Sequence, residues 1–158
     1  MKILYAIQGT GNGHITRANE VIPYLQKHGD LDILISGKHS ELKLKADVNY
    51  KLKGLGFIFG KKGGIDYWKT FLNSDVSALL SEIKQIPVEK YDLIISDFEP
   101  VTAWGALKKG KNCIGLSNQC ATLHPLAPKP KNFDILGKLV MEKYAPCKIN
   151  YGLHYKAL

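Results

Sequence analysis

Apolar residues along this chain form short continuous runs, separated by segments in which apolar residues recur at helical spacing. Continuous runs are typical of parallel strands that are buried on both faces. Strands that alternate with helices and are joined by right-handed crossovers predict an α/β fold with a doubly wound parallel sheet. The runs begin at Lys2 and continue at Leu31–Ser36, Val48–Leu52, Leu93–Ser96 and Asn112–Leu116.

The first helix is predicted to begin behind His14 and to end at Gly29. Pro23 falls inside it. An interior proline lacks the N–H group and clashes with the preceding turn, at a cost of about 3 kcal/mol, so we expect a kink near Ile22.

A later helix is predicted from apolar residues between Val76 and Ile86, with capping side chains at Asn73–Asp75 and Pro87 closing it. Three further helices are predicted, at Gly37–Ala46, Val101–Lys109 and Phe133–Tyr144.

The first run breaks into a turn with glycines at Gly9, Gly11 and Gly13, followed by His14. Glycines allow positive φ and close approach of a ligand, and the N-terminus of the following helix favours negative charge. The spacing does not match the dinucleotide-binding fingerprint, and the lysine and hydroxyl residue of a Walker A loop are missing. The turn is therefore either a ligand-facing loop or a tight strand-to-helix turn with a surface histidine.

A second polar group follows the strand Leu93–Ser96, where the chain continues as Asp97, Phe98 and Glu99. Ligands of open parallel sheets bind outside the carboxyl ends of the strands, so His14 and Asp97 are expected to face one crevice. An imidazole can accept the proton of a hydroxyl nucleophile, and a carboxylate on its far nitrogen fixes the tautomer. The alternative is that Asp97 caps the next helix and His14 only lines the turn.

The stretches IQGTGNGHITRANEVIPYLQKHG and DLIISDFEP resemble the N-terminal domain of GT-B glycosyltransferases, of the MurG-like families 28 and 1. The resemblance implies one Rossmann-like half of a GT-B fold over residues 1–158, with His14 and Asp97 as catalytic residues. It also implies a nucleotide-sugar donor, UDP-linked, as co-substrate, and a hexose or N-acetylhexosamine transferred to a lipid or small-molecule acceptor. No separate cofactor and no metal are expected.

Further residues are predicted to bind substrate at the same edge of the sheet. Arg17 could hold a carboxylate or phosphate of the acceptor, or else form a salt bridge with Glu20 or another acid. Glu99 could serve as an alternative carboxylate or could favour the next helix through its dipole. The complete predicted binding set is Gly9, Gly11, Asn12, Gly13, Arg17, Glu99, Ser117, Asn118 and Gln119.

The formal charge of +8 comes almost entirely from lysine, since Arg17 is the single arginine. Nucleic-acid binders usually add arginine clusters and a reading motif, so this class is not predicted. Gly54–Leu72 mixes glycines, aromatic residues and lysines. It is either a loop that meets an anionic membrane surface or one whose aromatics close the core. A cytoplasmic location is expected, since no signal peptide or membrane span is found, and it is peripheral on the inner membrane face if the loop binds lipid.

Three cysteines without zinc-ligand spacing indicate reduced thiols. The 158 residues suffice for one ordinary core. A GT-B enzyme has a second, donor-binding domain, for which there is no room after Pro146, and Ile149–Leu158 is interpreted as the start of a continuing chain. Two alternatives remain, a standalone module that binds a nucleotide or anionic ligand and a non-catalytic subunit that docks a donor-binding partner.

Overall fold

A computed structural model describes residues 1–37, 42–56, 75–128 and 135–153 of the chain. The described residues form one sheet of six parallel strands in the order β3-β2-β1-β4-β5-β6. The strands are β1 (Lys2–Gln8), β2 (Asp30–Ser36), β3 (Tyr50–Leu52), β4 (Leu93–Asp97), β5 (Cys113–Ser117) and β6 (Ile149–Gly152). The predicted doubly wound parallel sheet is confirmed.

Five helices and one short 3-10 turn are described between these strands. The helices are α1 (Asn12–Leu25), α2 (Val76–Gln85), α3 (Pro100–Lys108), α4 (Asn118–Thr122) and α5 (Ile135–Lys143), with the 3-10 turn at Val88–Lys90.

Strand β1 lies inside the sheet between β2 and β4, and every residue from Ile3 to Gln8 is therefore buried. Its side chains alternate between two apolar layers. Leu4 and Ala6 belong to the layer that α2 and α3 cover, whereas Ile3, Tyr5 and Ile7 belong to the layer on the α1 side. A sheet covered on both faces explains the continuous apolar runs of its central strands.

Helix α1 continues through Pro23 and ends at Leu25, four residues before the predicted end at Gly29. The N–H groups of Gln26, Lys27 and His28 bond to carbonyls three or four residues earlier, so the chain leaves the helix in a tightened last turn. Gly29 marks the approach to β2 instead, since a Cβ there would lie 2.1 Å from the Met1 carbonyl oxygen.

The predicted helix Gly37–Ala46 is wrong for its described part, because residues 42–46 form bends and no helix. The amide of Asn19 on α1 explains this local structure. Its Nδ2 donates to the Lys43 carbonyl and its Oδ1 accepts from the Lys45 N–H. Residues 38–41 of that prediction lie outside the described residues.

The third strand is shorter than predicted, since only Tyr50–Leu52 pair with β2. Before it, the Asn49 N–H donates to the Ile33 carbonyl and the Asn49 Oδ1 accepts from the Ile33 N–H. Asp75 caps α2 by accepting from the Ala78 N–H, while Asn73 and Ser74 lie outside the described residues. The predicted helix Phe133–Tyr144 is described from Ile135 to Lys143.

Strand β6 was not predicted. It pairs with β5 over Ile149–Gly152, where the sequence analysis expected only a continuing chain. Residues 57–72 of the glycine-rich segment Gly54–Leu72 lie outside the described residues, so the choice between a membrane-facing loop and one that closes the core stays a prediction.

Candidate active site

The carboxyl ends of β1 and β4 lie side by side, with Ile7 paired to Asp97 in register. Strand β1 runs to Gln8 and is followed by the glycine turn and α1, while β4 ends at Asp97. These two strands are where the connections begin to run in opposite directions across the sheet, the position at which doubly wound folds bind ligands. The predicted crevice therefore forms at the carboxyl edge of β1 and β4.

The three glycines of the turn differ in their packing and in their backbone conformation. The Gly9 N–H donates to the Ser36 carbonyl at 2.6 Å, and a Cβ on Gly9 would approach that oxygen to 2.9 Å. Gly11 has φ of 98°, which disfavours other residues. Gly13 has open space around it and ordinary φ. Gly9 is thus a buried packing position rather than a ligand contact, and Gly11, Asn12 and Gly13 form the exposed part of the turn.

Helix α1 begins at this exposed part, and Gly11 at its N-cap supplies no side-chain hydrogen bond. The first N–H groups of a helix have no partner within the helix and carry a partial positive charge. An anionic group of a ligand can therefore be bound at the turn.

His14 and Asp97 form the centre of the site. The Nδ1 atom of His14 lies 2.8 Å from Oδ1 of Asp97. Asp97 is fully buried and His14 is 9% exposed. The imidazole is held by a carboxylate on one nitrogen, which is the arrangement that the sequence predicted. The alternative that Asp97 caps the next helix is wrong, because Glu99 occupies the N-cap of α3.

Arg17, one turn after His14, also binds Asp97. Its Nε donates to Oδ2 at 2.8 Å and its Nη2 donates to Oδ1 at 2.5 Å. Burial opposes the charge of Arg17, but the hydrogen bonds and the negative charge of Asp97 raise the pKa of the guanidinium. Of the two predicted roles, the salt bridge with an acid is the one present, and that acid is Asp97 rather than Glu20. The Nε and Nη2 atoms of Arg17 are thus engaged with Asp97.

Tyr5 is a residue of the site that the sequence analysis missed. Its hydroxyl, on β1, lies 3.5 Å from Oδ2 of Asp97. Burial, followed by the charge of Asp97, raises the pKa of Tyr5. The apolar run around Tyr5 gave no sign of this contact, because a tyrosine inside a strand is equally compatible with the core.

Glu99 is a structural residue, in contrast to its predicted role in substrate binding. It is fully buried. Its Oε1 accepts from the Val101 N–H and the Ser36 hydroxyl, and its Oε2 accepts from the Thr102 N–H. Burial raises the pKa of Glu99, and these hydrogen bonds oppose that shift. The second predicted role, support of the helix N-terminus, fits this geometry.

Phe98 separates the two carboxylates and has φ of 55°, the single non-glycine residue with positive φ among those described. This left-handed conformation turns the backbone between Asp97 and Glu99. As a result, the first carboxylate faces His14 and the second faces the N-terminus of α3. Non-glycine residues in this region are often found at functional sites.

The predicted polar residues after β5 include one structural residue and two candidates for binding a ligand. Ser117 is fully buried and caps α4 by accepting from the Cys120 N–H at 3.1 Å, so it is not a ligand contact. Asn118 is exposed at the start of α4. Gln119 follows it, and its Oε1 is buried without a hydrogen-bond partner among the described residues. Asn118 and Gln119 therefore remain candidates for binding a ligand.

A further group of contacts, which the sequence did not indicate, lies at the carboxyl end of β1. The Tyr144 hydroxyl, which follows α5, donates to the Leu55 carbonyl, and its ring lies 4.8 Å from the Phe98 ring. Nε2 of Gln8 donates to the same Leu55 carbonyl and to the Thr10 hydroxyl, while its Oε1 is buried and has no hydrogen-bond partner in the described part of the chain. Gln8 thus offers an additional acceptor at the end of β1.

The model of a known protein family, described as glycosyl transferase family 1, matches residues 1–151. The chain belongs to glycosyl transferase family 1. Comparison of this family 1 chain with curated proteins finds no sequence match. The resemblance carried by the glycine turn and the DLIISDFEP stretch is confirmed at the level of the family.

Among solved structures, the family 1 domain is similar to MurG of Acinetobacter baumannii, with a TM-score of 0.51 and 16% sequence identity. The alignment covers 94% of this chain and 44% of that one, so the domain spans less than half the length of MurG. This likeness confirms the fold as a Rossmann-like half of the GT-B type.

Two further properties concern the described part of the family 1 domain. None of its helices has the length and apolar character needed to cross a membrane. No cluster of three or more His, Cys, Asp or Glu residues suited to a metal ion is found in the described ranges.

Proposed function

We propose that the chain is the N-terminal, acceptor-side domain of a nucleotide-sugar-dependent glycosyltransferase in which His14 is the general base. The observation that carries this proposal is the 2.8 Å contact between His14 Nδ1 and the buried carboxylate of Asp97. Membership of glycosyl transferase family 1 supports the reaction class.

The proposed reaction moves one proton and exchanges one bond. Nε2 of His14 accepts the proton of an acceptor hydroxyl while the hydroxyl oxygen bonds to the anomeric carbon of the donor sugar. The bond from that carbon to the diphosphate oxygen breaks, and the nucleoside diphosphate leaves with the electron pair. Asp97 holds the imidazole through Nδ1 and stabilises the imidazolium that forms.

The proposed donor is a UDP-linked hexose or N-acetylhexosamine, and the proposed acceptor is a hydroxyl of a lipid or small molecule. The exposed Gly11–Gly13 turn and the N-terminus of α1 suit an anionic part of either substrate. Asn118 and Gln119 supply hydrogen bonds at the neighbouring strand end. We further propose that a C-terminal domain of the same protein binds most of the donor.

A cytoplasmic location on the inner face of a membrane belongs to the same proposal. The lysine-rich net charge of +8 supports attraction to anionic lipid headgroups. Lysines 61, 62 and 69, on which the membrane argument depends most, lie outside the described residues.

A second candidate is a non-catalytic subunit that docks a separate donor-binding protein. The observation that favours it is the exposed edge at β6, where Ile149 is 50% exposed, Tyr151 is 58% exposed and Leu153 is 38% exposed. Such apolar exposure is suited to contact with another domain or protein. This candidate differs from the first by requiring a second polypeptide for activity.

The deciding experiment uses the natural-length protein with radiolabelled UDP-hexoses and UDP-N-acetylhexosamines, a lipid extract and a panel of small-molecule alcohols. Transfer of label is expected, and His14→Ala should lower kcat about 100-fold or more. His28→Ala is the matched control, because His28 is exposed beyond the other end of α1. Equal transfer by wild type and His14→Ala would contradict the base role, and transfer only after adding a second protein would favour the subunit.

A further inference from the structure

Two thiols lie in contact where β5 begins and the chain approaches β6. The Cys147 thiol donates a hydrogen bond to Sγ of Cys113 at 3.5 Å. Cys113 is the first residue of β5, whereas Cys147 lies between α5 and β6. Both side chains pack in the apolar layer that α2 and α3 cover. All three cysteines of the chain are free, so this contact joins two reduced side chains.

The two thiols differ in their access to solvent. Cys113 is 4% exposed, while Cys147 is half-buried. The hydrogen bond that Cys113 shares with Cys147, followed by burial, raises the pKa of the Cys113 thiol. A cysteine reacts as its thiolate, so a reagent in solution reacts first with Cys147 and reaches Cys113 only through it. Once Cys147 has reacted, its thiol hydrogen bond is lost, and with it the first of the two causes that keep Cys113 protonated.

A bond between the two sulfurs requires only a small movement. A disulfide holds its sulfur atoms about 2.0 Å apart, so the two atoms must approach each other by about 1.5 Å. Cys113 is held in the sheet, where it is paired with Ile94 of β4. Cys147 lies outside the regular helices and strands. The approach is therefore expected to come from Cys147.

We propose that Cys113 and Cys147 are a redox-active pair that a small-molecule disulfide oxidises, and that the resulting bond fixes β6 to the sheet. The sulfur of Cys147 attacks one sulfur of the reagent, whose S–S bond breaks, and a small thiol leaves with the electron pair and the Cys147 proton. The sulfur of Cys113 then attacks the sulfur of Cys147, and the second small thiol leaves with the Cys113 proton. Two protein thiols are oxidised, and one small disulfide is reduced to two thiols.

Strand β6 is the part of the sheet that this bond holds. All four of its residues are exposed, and β5 is its partner at the edge of the described sheet. Just beyond its carboxyl end, the Leu153 N–H donates to the Ser117 carbonyl, and the strand packs against α4. A bond at Cys147 adds a second anchor just before the strand begins, so oxidation should make β6 open less often. Because α4 carries Asn118 and Gln119, this anchor supports an element of the candidate site.

The test equilibrates the folded 158-residue chain with mixtures of reduced and oxidised glutathione at neutral pH. Free thiols are then alkylated, and the products are mapped by mass spectrometry. The expected product has one disulfide, between Cys113 and Cys147, and an alkylated Cys120. Its equilibrium constant should exceed that of the urea-unfolded chain about 10-fold or more, because folding holds the two sulfurs together.

Three serine variants separate the roles of the cysteines. Cys113→Ser should stop at a glutathione adduct on Cys147, because no second thiol is in contact with it. Cys147→Ser should leave the buried Cys113 unreacted. Cys120→Ser is the matched control, since its thiol contacts Ser117 and Asn150 rather than another cysteine, and it should form the same disulfide as the wild type.

Three wild-type results would overturn the proposal: a stable glutathione adduct on Cys147 with Cys113 still reduced, a disulfide that includes Cys120, or no reaction of the folded chain. The wild-type products decide even if a serine variant does not fold.

Hydrogen exchange of the oxidised and reduced chains tests the effect on β6. Amides of Ile149–Gly152 should exchange about 10-fold or more slowly after oxidation, while β3, at the other edge of the described sheet, should exchange at an unchanged rate. Equal exchange of β6 in the two states would overturn its proposed fixation by the disulfide. Neither measurement involves sugar transfer, so both results are independent of the proposed function.

Discussion

The Ser36 hydroxyl at the end of β2 donates a 2.7 Å hydrogen bond to Oε1 of Glu99, at the N-cap of α3. This bond joins the two halves of the sheet beneath the site, because Glu99 follows β4 and β2 lies on the opposite side of β1. The Ser36 hydroxyl and the Val101 and Thr102 N–H groups all depend on this one carboxylate.

Replacing Glu99 with alanine should therefore destabilise the domain strongly. Loss of an N-cap and of partners for buried donors is expected to lower the free energy of unfolding by about 2–3 kcal/mol. Urea denaturation followed by circular dichroism measures this change. Glu89→Ala, which removes an exposed carboxylate paired with Lys109, is the control and should cost much less. Equal losses in the two variants would show that the Glu99 cap is not important for stability.

Glu99 should also make stability depend on pH. Burial raises its pKa in the folded chain, so the unfolded chain releases this proton at lower pH than the folded chain does. The stability contributed by Glu99 is present below the ordinary glutamate pKa of about 4.3 and is lost as pH rises through the folded value. The wild type should lose stability relative to Glu99→Gln from about pH 4 upward. A constant difference between the two denaturation curves across pH would contradict this result.

Asp97→Asn should affect both stability and the proposed transfer. The variant leaves Arg17 buried without its carboxylate, which is expected to cost about 3 kcal/mol in chemical denaturation. The transfer rate should fall strongly, but less than in His14→Ala, because the imidazole remains. Asp92→Asn is the control, since Asp92 lies just before the other end of β4 and its carboxylate accepts from the exposed Lys2 N–H, far from His14 along the strand. An active, stable Asp97→Asn would contradict both roles.

The glycine turn offers a matched pair of substitutions. Gly13→Ala is expected to stabilise α1 by up to about 1 kcal/mol, because φ is ordinary and space is open. Gly11→Ala should cost about 1 kcal/mol or more, because φ is 98°. Thermal unfolding measures both effects. If a ligand approaches Gly13 closely, Gly13→Ala should nevertheless raise the KM of the transferase several-fold, and an unchanged KM would show that no ligand comes near.

The central strands were predictable because burial on both faces leaves a continuous apolar run. The predicted strands Leu31–Ser36 and Leu93–Ser96 agree with β2 and β4 to within one residue. Strand β6 was not predictable in this way. Its four residues are all exposed at the edge of the sheet, so no run of buried apolar residues marks it in the sequence. It is identified as a strand by its pairing with β5 in the structure.

The site was predictable only where chain order determines it. His14 and Asp97 follow neighbouring parallel strands and therefore meet, although 83 positions separate them. The sequence pattern left Glu99 open as an alternative to Asp97, because the backbone conformation of Phe98, which separates the two carboxylates, cannot be read from the sequence. It also left two roles open for Arg17, because the acid that a long side chain binds depends on the fold.

The position of β1 inside the sheet has a consequence for local unfolding. Its backbone bonds to β2 on one side and β4 on the other, so its amides should exchange with solvent among the slowest in the domain. Strands β3 and β6 lie at the edges of the described sheet, each paired there with one strand, and should open more often. His14 and Asp97 are attached to the most protected pair of strands. Transient fraying of the sheet edges should thus leave the geometry of their contact intact.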